Sequence, residues 1–269
     1  SSSSGGDGPC YITVDKKNKY VFSGNYSGGS LAAIPINSDG SLGQDIQAIK
    51  HQGSSIHKNQ NKPHVHATVL SADNKFLFVP DLGTDKINIY EVDVNTQHPL
   101  TPANPSFISV KPGSGPRHFT LHPSNDFAYV IQELNGMVTA FDYKKGDLKA
   151  IQSVDATLPG YAGNPSAADI HISPDGKFLY TSLRSDINEL VIYKVGKDGK
   201  LTYVARQSTL GKNPRNFAID PTGRYLLVGN SGNDQIVVFK RDQQTGLLTD
   251  TGQRIPVHSP VCLKFTNIN

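Results

Sequence analysis

The feature that most limits the fold of this chain is a motif of about fifty residues that recurs along its length. Each copy has an alternating strand that is entered at a proline, then a turn, then a second strand that opens on an aromatic residue. The opening aromatic residues are Tyr20, Phe76, Phe127, Phe178 and Tyr225. A chain that returns to one motif at a steady interval is built from repeated supersecondary units.

Two more predicted strands complete each copy. A glycine-containing turn separates the third strand from a fourth, more polar segment; examples of the third strand are 86–90, 137–141 and 235–239, and 106–110 is an example of the fourth. Four short antiparallel strands are typical of one blade of a β-propeller. We therefore predict an all-β chain of five four-stranded blades, with repeats that start near residues 8, 63, 115, 166 and 213. A β-sandwich is the alternative, but its strands would not return to the same motif five times.

The two ends of the chain do not form complete copies. Residues 1–7 are rich in serine and glycine and are predicted to be a linker or loop, whereas 8–269 form a single propeller domain. Residues 259–265 match only the first strand of a sixth copy. Because an unpaired strand edge invites unwanted pairing, we expect this closing strand to need partners, and we expect N-terminal blades to be missing.

Composition excludes several classes of partner. The net charge is only +3, and no run of lysines and arginines is interleaved with aromatic residues, so we expect no nucleic-acid partner. No stretch reaches the roughly eighteen apolar residues of a membrane helix, and no signal segment opens the sequence. We expect a cytoplasmic protein, a monomer or weak dimer, with the thiols of Cys10 and Cys262 buried.

Strand geometry predicts where polar residues gather. The start of the first strand and the end of the second strand of a blade lie at the same end of the sheet, opposite the turn that joins them. Counting ten residues back from each aromatic anchor gives Cys10, His66, Arg117, Ala168 and Arg215. Counting five or six residues forward gives Asn25, Asp81, Glu133, Arg184 and Asn230. We therefore predict a polar site at this end, with His64 and His118 close by.

The residue types at this end fit an anionic substrate. Arginine guanidinium groups bind phosphate or carboxylate through two parallel hydrogen bonds, and Glu133 or His66 can transfer protons. The alternative is that these charges only pair with one another at a solvated rim. His64 and His66 are two residues apart and point to opposite faces of a strand, so a shared metal ion is not expected. His171 is interpreted as a core or channel residue, and no serine-nucleophile or phosphate-loop motif occurs.

These motifs resemble the bacterial 6-phosphogluconolactonase family of seven-bladed propellers, which is related to 3-carboxy-cis,cis-muconate lactonizing enzyme. The resemblance runs along nearly the whole chain and is most specific at 63–66, 115–119, 132–134, 170–180 and 213–224. It implies a site of one histidine, one glutamate and two arginines, which fall on His66, Glu133, Arg117 and Arg184. The further substrate-binding candidates are His64, His118, Arg215, Asp81 and His171. In place of the asparagine expected before Arg184, the chain has Leu183.

The resemblance implies a lactonase of carbohydrate metabolism, in the pentose phosphate pathway, that needs no cofactor or metal. Glu133 or His66 would activate water, and Arg117 or Arg184 would stabilise the oxyanion. The alternatives are cycloisomerisation of a carboxylated muconate at the same site and a non-catalytic propeller that binds proteins on one face. A further alternative is a lactonase that holds a divalent metal on oxygen ligands, namely Glu133, Asp81, Asn25 and Asn230.

Overall fold

The computed structural model of the protein describes residues 2–266, and all regular structure within this range is β. Twenty strands form five four-stranded sheets in which strands consecutive along the chain are hydrogen-bonded neighbours. Sheet 1 contains β1 (Pro9–Val14), β2 (Tyr20–Asn25), β3 (Ser30–Pro35) and β4 (Gln47–Lys50). Sheet 2 contains β5 (Val69–Leu70), β6 (Phe76–Asp81), β7 (Lys86–Val92) and β8 (Leu100–Ser109).

The remaining three sheets repeat the same order. Sheet 3 contains β9 (Pro116–Leu121), β10 (Phe127–Gln132), β11 (Met137–Lys144) and β12 (Asp147–Asp155). Sheet 4 contains β13 (Ala167–Ile172), β14 (Phe178–Leu183), β15 (Glu189–Val195) and β16 (Leu201–Ser208). Sheet 5 contains β17 (Pro214–Ile219), β18 (Tyr225–Asn230), β19 (Gln235–Arg241) and β20 (Leu248–Pro256). The second strand of every sheet begins at its predicted aromatic residue, which confirms the five-fold repeat.

The first strand of sheet 2 is shorter than predicted. Strand β5 has two residues, and only an isolated bridge between Val65 and Asp81 continues the pairing toward residue 63. The reason is that Thr68, between them, bonds to sheet 1 instead: its hydroxyl donates to the carbonyl of Phe22, and its carbonyl accepts the hydroxyl of Thr13. This irregular inner segment carries two histidines of the predicted site.

Residue contacts divide the chain into two compact units. The first unit comprises the chain up to Phe119 together with Tyr143–Lys149, and the second comprises Thr120–Asp142 together with the chain from Ala150 onward. In the first unit, a core of Phe22, Leu31, Leu77 and Val79 joins sheets 1 and 2. In the second unit, one core includes Tyr129 and Leu179, and another includes Tyr180 and Phe239. Each core is therefore formed between the apolar faces of successive sheets.

Glycines in the turns between third and fourth strands allow these sheets to pack closely. Gly199 has φ +73°, and a Cβ there would lie 2.2 Å from the ring of Phe127 in the preceding sheet. Its carbonyl accepts a hydrogen bond from the hydroxyl of Tyr129 at 3.0 Å. Gly246 meets Phe178 in the same way, and its carbonyl accepts from Tyr180 at 2.7 Å. The repeated aromatic residue and the repeated glycine are thus two halves of one sheet-to-sheet contact.

The chain ends differ in part from expectation. Residues 2–7 form no strand and lie against sheet 1, where the carbonyl of Ser4 accepts a hydrogen bond from the Asn25 amide. The predicted closing strand at 259–265 is not a strand, because its backbone bonds to side chains: the N–H of Leu263 donates to Asn216 Oδ1 at 2.6 Å. Residues 1 and 267–269 of the predicted segments lie outside the described residues.

The predicted burial of the two thiols is wrong. Cys10 lies on β1, at the edge of sheet 1, and Cys262 lies in the terminal segment that forms no strand, and both residues are exposed. The described part of the chain contains no helix long and apolar enough to cross a membrane.

Candidate functional site

The strand register brings the predicted positions together within their sheets. Pro9 pairs with Asn25, Ala167 pairs with Leu183, and Pro214 pairs with Asn230, so the start of each first strand meets the end of the second. This confirms the expected geometry at the end of the sheets opposite the first turn, which we call the site end. The turn between the first and second strands lies at the other end, which we call the turn end.

In the first unit, a tyrosine joins the two histidines that precede β5. The rings of Tyr26 and His64 are stacked with centroids 4.4 Å apart, and His66 meets the same tyrosine edge-on at 5.3 Å. The carbonyl of Tyr26 also accepts a hydrogen bond from His64 Nδ1 at 3.0 Å. Tyr26 was not among the predicted residues, although it directly follows Asn25 at the end of β2.

The start of β9 contributes an arginine and a third histidine to the same unit. Arg117 is 1% exposed, and its Nη1 lies 3.1 Å from His118 Nε2. Because a guanidinium only donates hydrogen bonds, Nε2 is the acceptor and the His118 imidazole carries its proton on Nδ1. The His118 ring lies 5.2 Å from His66 and 5.3 Å from Tyr11. The first unit therefore brings His64, His66, Arg117 and His118 into one polar cluster.

Asp81, at the end of β6, positions the segment that carries these histidines. It is fully buried, and its Oδ1 accepts the backbone N–H groups of His64 at 2.7 Å and Gly83 at 3.0 Å. Its Oδ2 lies 2.8 Å from His51 Nδ1. The carboxylate is thus occupied by three protein N–H groups. His51 was not predicted, since nothing in the repeat brings residues 51 and 81 together.

In the second unit, the predicted glutamate and one predicted arginine form an ion pair. Glu133 directly follows β10, Arg184 directly follows β14, and Arg184 Nη2 lies 3.3 Å from Glu133 Oε1. The Glu133 side chain is 22% exposed and that of Arg184 is 8% exposed. The entry to β13 fixes both residues: Arg184 Nε donates to the carbonyl of Ser166 at 2.8 Å, and the N–H of Ala167 donates to the Glu133 carbonyl at 3.1 Å.

The predicted His171 has a different partner. Its Nε2 lies 3.0 Å from Oδ2 of Asp169, which was not predicted, and the same oxygen accepts the side-chain amide of Asn216 at 2.5 Å and the N–H of Phe217 at 3.1 Å. These contacts join β13 to β17. The other predicted arginine of this unit, Arg215, is half-buried on β17.

The side chains that commonly bind metal ions do not cluster in the described part of the chain. Within residues 2–266, no group of three or more histidine, cysteine, aspartate or glutamate side chains is arranged to hold an ion. His64 and His66 are engaged with Tyr26, and the Asp81 carboxylate accepts protein N–H groups. The polar side chains described at the site end carry imidazole, guanidinium and carboxylate groups.

Repeated four-stranded antiparallel sheets, each with its strands in chain order, are the blades of a β-propeller. The family described as lactonase, 7-bladed beta-propeller, matches residues 1–265. The chain belongs to this family of lactone-hydrolysing enzymes.

Alignments with individual relatives cover most of this chain. A 6-phosphogluconolactonase of Formosa agariphila is 38% identical over 97% of this chain and 74% of its own length. The 6-phosphogluconolactonase of Bacillus subtilis is 35% identical with the same coverage of each chain. The structure of a periplasmic gluconolactonase of Pseudomonas aeruginosa superimposes with a TM-score of 0.92 at 39% identity, over 97% of this chain and 74% of that chain.

Proposed function

We propose that this protein hydrolyses 6-phosphogluconolactone to 6-phosphogluconate. The observation that carries the proposal is the ion pair of Glu133 and Arg184 at the site end, in a chain of the lactonase family. A partly exposed carboxylate beside a guanidinium supplies both a proton acceptor and a positive charge for an ester-hydrolysing reaction. The relatives from Formosa agariphila and Bacillus subtilis are both named for this activity.

The proposed reaction is addition of water to the lactone carbonyl. The base removes a proton from water while its oxygen bonds to the carbonyl carbon, and the negative charge moves to the carbonyl oxygen. The bond from this carbon to the ring oxygen then breaks, the ring oxygen takes a proton, and the open acid leaves. A guanidinium next to the developing oxyanion lowers the barrier because it stabilises charge that is absent in the ground state.

The geometry favours Glu133 over His66 as the base. The Glu133 side chain is 22% exposed and so is accessible to water, whereas His66 is only 4% exposed. His66 is also packed edge-on against Tyr26 and His118. We therefore assign water activation to Glu133, and we assign His66 to orienting the substrate.

The arginines and remaining histidines are assigned to the anionic substrate. Arg184 is placed by Ser166 beside the base, which suits the oxyanion. Arg117, Arg215, His64 and His118 are assigned to the phosphate and hydroxyl groups, because guanidinium and imidazole N–H groups are strong donors to phosphate. Asp81 and His171 are reassigned from binding to positioning, since Asp81 holds the His64 backbone and His171 is paired with Asp169.

We propose that the reaction needs no metal. Three of the four oxygen ligands considered for a metal-dependent lactonase are engaged: Asp81 accepts three N–H groups, Asn25 Oδ1 accepts the hydroxyl of Ser23, and Glu133 pairs with Arg184. Within the described residues 2–266, Asn230 Oδ1 makes no hydrogen bond, and one oxygen alone does not make a metal site. Activity of the purified chain after exhaustive chelation tests this directly. We expect at least nine-tenths of the activity to remain; loss on chelation, with recovery on adding a divalent cation, would contradict the assignment.

The other expectations from the sequence stay predictions. The named relatives do not favour muconate cycloisomerisation, and assaying both substrates with one preparation separates the two reactions. The cytoplasmic location also stays a prediction, because the Pseudomonas aeruginosa relative is described as periplasmic. Fractionation of the source cells would decide the compartment, and sedimentation would test the proposed monomer or weak dimer.

The decisive experiment replaces Glu133 by glutamine. General-base catalysis contributes roughly 100- to 10,000-fold, so kcat for 6-phosphogluconolactone should fall by about that factor. Glu189→Gln is a matched control, because Glu189 also pairs with an arginine, Arg206, and is similarly exposed at 28%. We expect the control to keep the wild-type kcat. A Glu133→Gln enzyme with wild-type turnover would refute the assignment of the base.

A further inference from the structure

A polar cavity lies in the first unit, and neither Glu133 nor Arg184 lines it. Its volume is about 230 Å³, and it lies between the end of β4 and the site ends of β6 and β7. A cavity needs only on the order of 10–15 Å³ to admit a water molecule, so this one has room for a small solute. All but one of its lining side chains carry polar groups, and among them are His51, Asp81, Tyr90, Thr84, Lys50 and Lys86.

The wall of the cavity is held rigid by a buried relay of three side chains. His51 Nδ1 lies 2.8 Å from Asp81 Oδ2, and His51 Nε2 lies 3.0 Å from the hydroxyl of Tyr90. The side chains of His51 and Asp81 are 5% and 0% exposed. Burial, together with the charge of Asp81, raises the pKa of Tyr90 to about 12, so the hydroxyl keeps its proton. A wall made in this way is fixed before any ligand arrives.

The charges around the cavity favour an anion. The one carboxylate in the lining, Asp81, accepts N–H groups from His51, His64 and Gly83, and its negative charge is therefore offset by protein donors. Lys50 and Lys86 add two positively charged residues to the same lining. Lys86 Nζ is placed 4.2 Å above the ring of Phe107, which orients its ammonium group.

One buried hydroxyl in the lining has no partner. Thr84 is 8% exposed, and its Oγ1 makes no hydrogen bond within the described residues 2–266. A buried hydroxyl without a partner costs free energy, and native structures retain such groups where a ligand or water completes them. The hydroxyl and the two ammonium groups together form a set of donors around a space that no protein atom fills.

We propose that this cavity binds a small oxyanion, such as phosphate or the phosphate group of a small metabolite, through Lys50, Lys86 and Thr84. The hydrogen-bonded side chains of Asp81, His51 and Tyr90 form one wall of the site. None of the residues assigned to the lactone substrate lines this cavity, although Asp81, which does, also holds the backbone of His64.

The test is a titration of the full chain with inorganic phosphate, in which binding is measured by isothermal titration calorimetry. We expect saturable binding to the wild-type protein. Thr84→Val keeps the shape of the side chain and removes only the hydroxyl, and it should weaken phosphate binding roughly tenfold, as expected for loss of one hydrogen bond to a charged group. Lys50→Gln combined with Lys86→Gln should abolish phosphate binding at this cavity, so that any binding left in the isotherm belongs to the arginines of the site end. Lys17→Gln, which removes one positive charge in the turn after β1, should leave it unchanged.

Three results would overturn the proposal. The first is absence of saturable phosphate binding to the wild-type protein. The second is unchanged affinity in the double lysine variant, which would place the anion elsewhere, for example at the arginines of the site end. The third is a Thr84→Val protein that unfolds at a higher temperature but binds phosphate as the wild type does, which is the result expected if Thr84 has only a structural role. The unfolding temperature of each variant also shows that it is folded.

Discussion

The two ends of the sheets are built from different kinds of contact. At the turn end, each turn is closed by side chains that bond backbone groups a few residues away, as where the Asp220 carboxylate accepts the N–H groups of Thr222 and Tyr225. Arg241 adds contacts from sheet 5 to Tyr180 and Asp175 of sheet 4. At the site end, contacts join residues that are far apart in sequence, such as His64 with Tyr26 and Glu133 with Arg184. Local contacts close a turn and stabilise a sheet whatever surrounds it. The long-range contacts instead gather charged and aromatic groups, and this is what a reaction needs.

The carboxylates of the two ends also differ in what stabilises their charge. Burial alone would raise the pKa of Asp175, but hydrogen bonds from Ser173 and the N–H of Lys177, with the charge of Arg241, hold it below its ordinary value. The pKa of Asp220 is lowered in the same way, mainly by Thr222 and the N–H of Tyr225 acting against burial. The turn-end carboxylates therefore contribute to stability at neutral pH. At the site end, the Glu133 carboxylate is paired with the Arg184 guanidinium.

The largest effect that would sharpen this comparison is expected at Arg184. Arg184→Lys keeps the positive charge but loses the planar geometry that bonds Ser166 and Glu133 together. Loss of one donor to an oxyanion costs about 100- to 1,000-fold in kcat, and we expect a decrease in this range for 6-phosphogluconolactone hydrolysis. Arg206→Lys is the control, because Arg206 bonds Glu189 and the carbonyl of Ala156 in the same manner. Equal losses in both variants would mean that the effect is structural.

The next largest effect is expected at the turn end, on stability. Arg241 is 2% exposed and donates to the Tyr180 hydroxyl at 2.8 Å and to the carbonyl of Gly223 at 2.9 Å, and its Nη2 lies 3.3 Å from both oxygens of Asp175. Arg241→Met fills similar space without these donors and should lower the free energy of unfolding by about 2–3 kcal/mol. Urea denaturation measures this. Per folded molecule, kcat should stay at the wild-type value, and a loss of kcat in the folded variant would break the distinction between the two ends.

The sequence predicted the turn end better than the site end, for a physical reason. Turns and opening aromatic residues are local signals, and the second strand of each sheet begins where the aromatic residue indicated. At the site end, counting from those residues gave Ala168, whereas the side-chain contacts that join β13 to β17 are made by the next residue, Asp169. The strand register shifts irregularly between Ala167 and Ile170, which makes a fixed count inexact there.

Other residues of the site end could not be found by counting a fixed number of residues from the opening aromatic residues. Tyr26 lies just beyond β2, where the repeat has no further pattern, and only the folded chain brings its ring against His64. His51 meets Asp81 across thirty positions of sequence, through a segment that belongs to no strand. The positions of the charged residues at the ends of the strands were predictable because they recur with the repeat. The residues that orient them were not, because their contacts depend on tertiary structure.

The smallest effect is expected at a single turn carboxylate, and it concerns pH. Because the pKa of Asp220 is lower in the folded chain than its ordinary value of 3.8, its contribution to stability is complete above the unfolded pKa and is lost as the pH falls through the folded one. Asp220→Asn should therefore cost about 1 kcal/mol at pH 7 and progressively less as the pH falls below 3.8, measured by urea denaturation at pH 7 and at a series of acidic pH values. Asp126→Asn, in the exposed turn before β10, is the control and should change stability little at any of these pH values. A cost for Asp220→Asn that is equal at all of these pH values would show that its hydrogen bonds, rather than its charge, stabilise the turn.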